Sequence, residues 1–266
     1  MIRSIYTAVS GLINQEAQQD VISNNLANAT TVGYKKDDLV GKSFKEVMMH
    51  NYDKVVGGKH VKNDIGMLSM GSKLDQSYTN FGQGVLESTD KSTDFALQGR
   101  GFFVVSRNGR VDGGGQNFYT RDGHFHVERT GYLVNSSGDR VMGQNIRNGA
   151  MEPIYLGNEK TATSKISCND RGELFLDGNL KYKMAVVDFD NYETLRKQGD
   201  NLYSGGNPRA YNEAIVKQNY LEKSNVNVME EVSDMMMTMR NFESNQKLVQ
   251  SLDETLGKTV NEVGRV

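Results

Sequence analysis

Two histidines, His124 and His126, stand two residues apart in "YTRDGHFHVERTGY", a stretch that alternates like a strand. Side chains two apart on a strand share a face, so the pair could offer imidazole nitrogens to a transition metal. A closed metal site needs three or four ligands, and no third His or Cys follows at ligand spacing. The pair reads as surface or cross-strand packing. Asp188 and Asp190 repeat the two-residue spacing and imitate an acid–base couple. Carboxylates that cleave glycosidic bonds come from different elements and flank a cleft, which this pair does not promise. "GRGFF" at 99–103 resembles a phosphate loop but has neither a third glycine nor a helix after it, and so reads as the entry to a strand. The glycine run at 113–115 lacks a following Gly-Lys-Ser/Thr and reads as a loop. Tripeptides beginning at Asn28 and Asn135 match glycosylation acceptors, a pattern too common to carry weight. Cys168, the single cysteine, cannot form an internal disulfide. No catalytic residues, no metal site and no cofactor are assigned.

With chemistry set aside, the totals bear on partners. The 266 residues carry 31 basic and 33 acidic side chains. So even a balance draws the chain neither to nucleic acid nor to an anionic membrane, and partners must be recognised by shape. No apolar run approaches the roughly 20 residues that span a bilayer, so membrane insertion is not expected. The opening "MIRSIYTAVSGLIN" imitates a secretory leader, but Ser4, Thr7 and Ser10 interrupt it and it continues into Asn14, Gln15 and Glu16 at the same period. The expectation is a retained helix, and any export must proceed without a cleaved leader.

The elements that would position functional residues lie at the two ends. From residue 2 to 27, Ile2, Ile5, Val9, Leu12, Val21, Ile22 and Leu26 recur at helical steps, and the run Asn28 to Gly33 ends the pattern. Near the other end Val228, Val232, Met235, Met239, Phe242, Gln246, Val249, Asp253, Leu256, Val260 and Val263 alternate steps of four and three, a heptad seam. Asn227 followed by Glu230 reads as its N-cap. The methionines at 229, 235, 236, 237 and 239 suit either seam packing or an adaptable contact surface. A helix of about 36 residues would be ~54 Å long, more than one compact domain can cover. Between the ends, glycine-punctuated alternation predicts hairpins, with turns at Asp122-Gly123, Thr130-Gly131, Ser137-Gly138 and Asp177-Gly178.

The fold class expected is α+β. Long N- and C-terminal helices pair as a coiled-coil-like domain (1–50 with 213–266), residues 51–84 form an extended connector, and 85–212 form a central, mainly antiparallel β domain built of hairpins. The helical seam proposed for subunit contact comprises Ile5, Val9, Leu12, Ile22, Leu26, Val232, Met235, Met239, Phe242, Val249, Leu256 and Val260.

Three blocks carry a resemblance. "SGLINQEAQQDVISNNLANATTVGYKK" resembles the N-terminal signature of the bacterial flagellar axial proteins, the rod and hook family, on Asn24, Asn25, Leu26, Ala27, Asn28, Thr31, Gly33, Tyr34 and Lys35. "FGQGVLESTDKSTDFALQGRGFFVV" and the Tyr-Thr-Arg-Asp-Gly hairpin are similar to the family's β-domain signature. Leu221-Glu222, Ser224-Asn225-Val226, Glu230-Glu231, Arg240, Glu243, Asn245 and Asp253-Glu254 resemble its C-terminal signature. The resemblance implies a non-enzymatic building block, exported unfolded through the flagellar type III apparatus. It would polymerise with itself and with other rod and hook subunits into a hollow helical shaft, its terminal helices forming an inner tube and its β domain outside. It also implies that the asparagines mark the joint between inner helix and connector. Lys223, Asn227, the short loop "YSGGNPRA" and residues 237–242 depart from the usual form. With no room for the extra outer domains of hook proteins, the chain is expected to be a rod protein, distal favoured over proximal on the length of 51–84.

Overall fold

The computed structural model describes residues 2–56, 58–107, 116–157 and 166–263, with Ile2, Lys54, Val56 and Val263 described by backbone alone. The chain forms two compact units. One comprises Met1–Ala27, Asp37–Tyr78 and Asn227–Val266, the other Asn28–Lys36 and Thr79–Val226.

The first unit holds two long helices, α1 (Ile2–Ala27) and α2 (Val228–Lys258), the latter running on as a π-helical turn over Thr259–Val263. α1 stops where its apolar period gives way to Asn28 and the β-branched residues after it. α2 starts as its sequence demands. The Asn227 side chain accepts the Met229 N–H at 3.2 Å, and Glu230 and Glu231 occupy the positive end of the helix dipole. At 1.5 Å per residue, its 31 residues extend ~46 Å. The helices lie side by side and antiparallel, since Asn25 meets Glu231 near one end while Gln15 meets Asn245 further along. Among the described residues no helix is long and apolar enough to cross a membrane.

Residues 37–79 differ from the expected connector. They form β1 (Asp37–Ser43), β2 (Val47–Val56), β3 (Lys59–Leu68) and β4 (Ser72–Thr79); β2 and β3 make an antiparallel hairpin, and β1 pairs with β4. Backbone groups without partners are costly, and these strands satisfy theirs by pairing with one another. It looked like a connector because no core lies beneath it: every residue of β3 is exposed.

The second unit is built on one large antiparallel sheet, which includes β7 (Phe102–Arg107) and β8 (Gln116–Thr120), while β5 (Leu86–Ser88) and β6 (Phe95–Gln98) each belong to a separate two-stranded sheet. β7 is central, flanked by β8 and by Arg140–Asn145. Because side chains alternate along a strand, Phe103 and Val105 enter one core with Phe125, Leu133 and Leu174. Phe102 and Val104 enter another with Tyr119, Phe189 and Tyr203. "GRGFF" thus does lead into a strand. Asp177 and Gly178, with φ of 52° and 81°, form the tight turn their sequence called for, and Gly131 and Gly138 also take positive φ. Gly123 does not. It is there because a Cβ would strike the Phe95 carbonyl.

The observed boundaries also differ from those expected. Ile215–Gln218 pairs with β6 and Tyr220–Glu222 with β5, so residues 213–226 belong to the β unit, as do 28–36. Cross-strand partners more than a hundred residues away, invisible to a local reading, set these limits.

Candidate assembly surface and a buried junction

The heptad seam read from the sequence divides in two. Met235, Phe242, Val249 and Leu256 are half-buried, whereas Val232, Met239 and Val260 are 38%, 44% and 69% exposed. Sheltered along α2 and the turn after it, beside Asp234, are positions 231, 235, 238, 242, 245, 249, 252, 256 and 259, which also alternate four and three. Four of these are polar: Glu231, Thr238, Asn245 and Thr259. An apolar count passed over them and drifted onto the neighbouring stripe. On α1, Ile22 is buried and Ile5, Leu12 and Leu26 are half-buried, while Val9 joins Tyr6 and Ile13 on the exposed side.

Two apolar stripes therefore face solvent in the single copy: Val228, Val232, Met236 and Met239 on α2, and Tyr6, Val9 and Ile13 on α1. The hairpin adds Tyr52, Ile65 and Met67. An open groove of 620 Å³ lies in the same unit, lined by Ala8, Gly11, Leu68, Met70 and Leu248 among others. Contiguous apolar surface left in water is the kind of surface that binding partners cover.

The asparagine motif straddles the two units. Asn25 is buried; its side-chain amide donates to the Asp37 carbonyl at 2.9 Å and to Glu231 Oε2 at 3.2 Å, and its oxygen accepts the Asp37 N–H at 3.0 Å. Asn24 and Ala27 are exposed, and Leu26 is half-buried. Asn28 and Thr31 close a turn through the Thr31 N–H to the Asn28 carbonyl at 3.1 Å. Gly33 has φ 68°, and a Cβ on it would lie 2.5 Å from the Asp122 nitrogen, so only glycine fits.

Beyond Gly33 lies a junction of buried charge. Lys35 Nζ meets Glu222 Oε1 at 2.5 Å and donates to the Gly82 carbonyl at 2.8 Å. Arg121 meets Glu222 Oε2 at 3.3 Å and donates to the Gly99 carbonyl at 2.8 Å. Glu222 Oε1 also accepts the Gly84 N–H at 2.8 Å, and its backbone carbonyl accepts the Gly33 N–H at 2.7 Å. Burial pulls the Lys35 ammonium below the ordinary lysine value, with the Glu222 charge working against that fall. Tyr34 lies beneath the Lys197 ammonium, 4.5 Å from its ring centre. Sequence reading named Lys35 and Glu222 in separate motifs but did not join them, and it gave Arg121 no role. Charges this far apart in the chain leave no periodic trace.

The remaining candidates are engaged elsewhere. His124 Nδ1 lies 3.0 Å from the buried Asp94, while His126 sits exposed in a two-residue strand. Asp188 accepts from the Tyr192 hydroxyl at 2.6 Å and pairs with Arg100, and Asp190 pairs with Arg209. Among the described residues no three His, Cys, Asp or Glu gather around a common point. Residues 113–115 lie outside the described residues.

Comparison with known proteins matches these regions in order. Residues 5–35 match the family model described as flagella basal body rod protein, 96–176 that of the flagellar hook protein FlgE/F/G D1 domain, and 217–262 that of the flagellar basal body rod FlgEFG protein C-terminal. The chain is 31% identical to the flagellar basal-body rod protein FlgG of Bacillus subtilis, covering 98% of this chain and 99% of that one. It is 30% identical to FlgG of Buchnera aphidicola subsp. Schizaphis graminum over 97% and 98% of the two chains. Identity to the rod protein FlgF of Caulobacter vibrioides is 28% over the whole of both. Three models in chain order and relatives matched from end to end place the exposed stripes and the buried junction in one setting: the chain belongs to the family of flagellar basal-body rod proteins, and is a structural rod subunit.

Proposed function

We propose that this rod subunit assembles head to tail with copies of itself, in the distal part of the shaft, and abuts other rod and hook subunits at the ends of its own segment. A head-to-tail contact whose rotation does not close produces an open helix, the geometry of a hollow shaft that carries torque from motor to hook. In that shaft α1 and α2 pack in coiled-coil fashion around the bore. The chain reaches it unfolded, through the flagellar type III export apparatus.

The observation that carries this reading is a second apolar stripe on α2. One stripe is turned toward α1; the other, at Val228, Val232, Met236 and Met239, is 46%, 38%, 50% and 44% exposed in a lone copy. The distal position is supported by the hairpin of residues 47–68, which supplies an additional exposed contact surface. Val232→Asp with Met239→Asp places two carboxylates on the exposed stripe without touching the sheltered one. Cells carrying this pair are expected to build no rod beyond the point where the subunit enters, while in the purified full-length double variant the β unit melts as in the parent. Normal rods from the double variant would refute the stripe's role.

A further inference from the structure

The buried junction has no part in the contact surfaces just described, and its charge is uneven. Lys35 and Arg121 bring two positive charges into the interior of the β unit, and Glu222 brings one negative charge. Side chains of Lys35 and Glu222 are wholly buried and that of Arg121 nearly so. Three backbone segments meet at this residue: 33–36, whose Lys35 reaches the carboxylate and whose Gly33 N–H reaches the Glu222 backbone carbonyl; 82–84, whose Gly84 N–H reaches the carboxylate and whose Gly82 carbonyl accepts from Lys35; and 222–225 itself. Asn225 reinforces the last, accepting from the Lys36 N–H and donating to the Asn80 carbonyl, each at 2.8 Å. Glycine at 84 allows the approach, since a Cβ there would run into the Lys223 carbonyl.

We propose that Glu222 is a late-acting lock, which makes burial of residues 33–36 conditional on a carboxylate 187 positions downstream. An ammonium without a counter-charge is more stable in water than in a protein interior. Until Glu222 arrives, Lys35 therefore stays solvated, the Gly33 and Gly84 N–H groups keep water as their acceptor, and the base of the β unit stays open. Neither apolar core contains a residue from 33–36 or Glu222, so opening the junction does not require the sheet to unfold. Resting on the reading that the chain is threaded unfolded through a channel, the lock has a use. The two sides of the lock emerge far apart in time, so this part of the fold closes only when nearly the whole chain is through.

The test uses the purified full chain and needs no export. Lysines are pulsed with an amine-acetylating reagent and read by mass spectrometry, and hydrogen exchange is followed at Gly33, Gly84 and residues 102–107. In the parent, Lys35 is expected to react at least ~100-fold more slowly than the exposed Lys59. In Glu222→Gln it should react within about tenfold of Lys59, while 102–107 keep their protection. A Lys35 that stays protected in Glu222→Gln overturns the proposal, and so does loss of protection at 102–107 in step with it. Lys35→Met combined with Glu222→Gln removes the stranded ammonium and should return Gly33 exchange to within about tenfold of the parent. If the double variant stays open, charge is not what closes the junction and the proposal fails. Failure of export would remove the lock's use and leave these measurements unchanged.

Discussion

Asn25 shows how much a single amide can organise. Three of its hydrogen bonds join α1 to the start of β1 and to the buried Glu231 of α2. The sequence made the asparagine run legible as a helix stop. What it left hidden is that the backbone group satisfied belongs to Asp37, twelve residues on, rather than to the helix end itself. Cys168 carries a prediction at this scale. Burial first, and then the charges of Asp170 and Glu173, push its thiol from an ordinary value of 9.0 up to about 12. Below pH 9 the thiol is protonated in both folded and unfolded chains and adds no pH dependence. Between 9 and 12 the unfolded chain binds fewer protons than the folded one, so stability falls as pH rises. At about 1.36 kcal/mol per unit, Cys168→Ala should lose up to ~3 kcal/mol less than the parent between pH 9 and 11. Denaturant titrations at the two pH values measure this, and equal losses in the two proteins would contradict it.

At the scale of elements, the helices and the hairpins of the β unit were legible because each has its own period and its own stop signal. The 3.6-residue period ends at Asn28, and the alternation of β7 ends in turn chemistry. The phase of α2 was not legible, because polar residues at 231, 238, 245 and 259 sit on the sheltered side. Partners explain the placement of two of them: Glu231 faces Asn25, and Asn245 faces Gln15. Polar groups inside a heptad seam fix register at some cost in stability, and hydrophobicity alone cannot locate them. The hairpin of β2 and β3 was misread for the opposite reason, having strand residues with no core beneath. A two-stranded hairpin with one strand wholly exposed is marginal in water. Its amide protons are therefore expected to exchange quickly in dilute protein and at least ~10-fold more slowly after assembly. Hydrogen exchange on both forms checks this, and equal rates would show that assembly does not cover the hairpin.

For the whole molecule, two units of different character share one chain, and the chain crosses between them after Ala27, Lys36, Tyr78 and Val226. The β unit buries two apolar cores, one on each side of its central strand, while Val85, Ile146 and Met151 stay exposed. The helical unit leaves apolar residues of α1, α2 and the hairpin in water. With a net charge of −2, long-range repulsion offers little resistance to association. Domain limits were the least legible feature, because they are set by pairs such as β5 with Tyr220–Glu222 and by the charge junction at Glu222. Electron cryo-microscopy of isolated basal bodies, with this subunit located by a tag, tests the central claim most directly. The account predicts an open helical array in which Val232 and Met239 lie against a neighbouring copy and α1 and α2 line the bore. A closed ring or dimer, or an array in which those two side chains still face solvent, would contradict it.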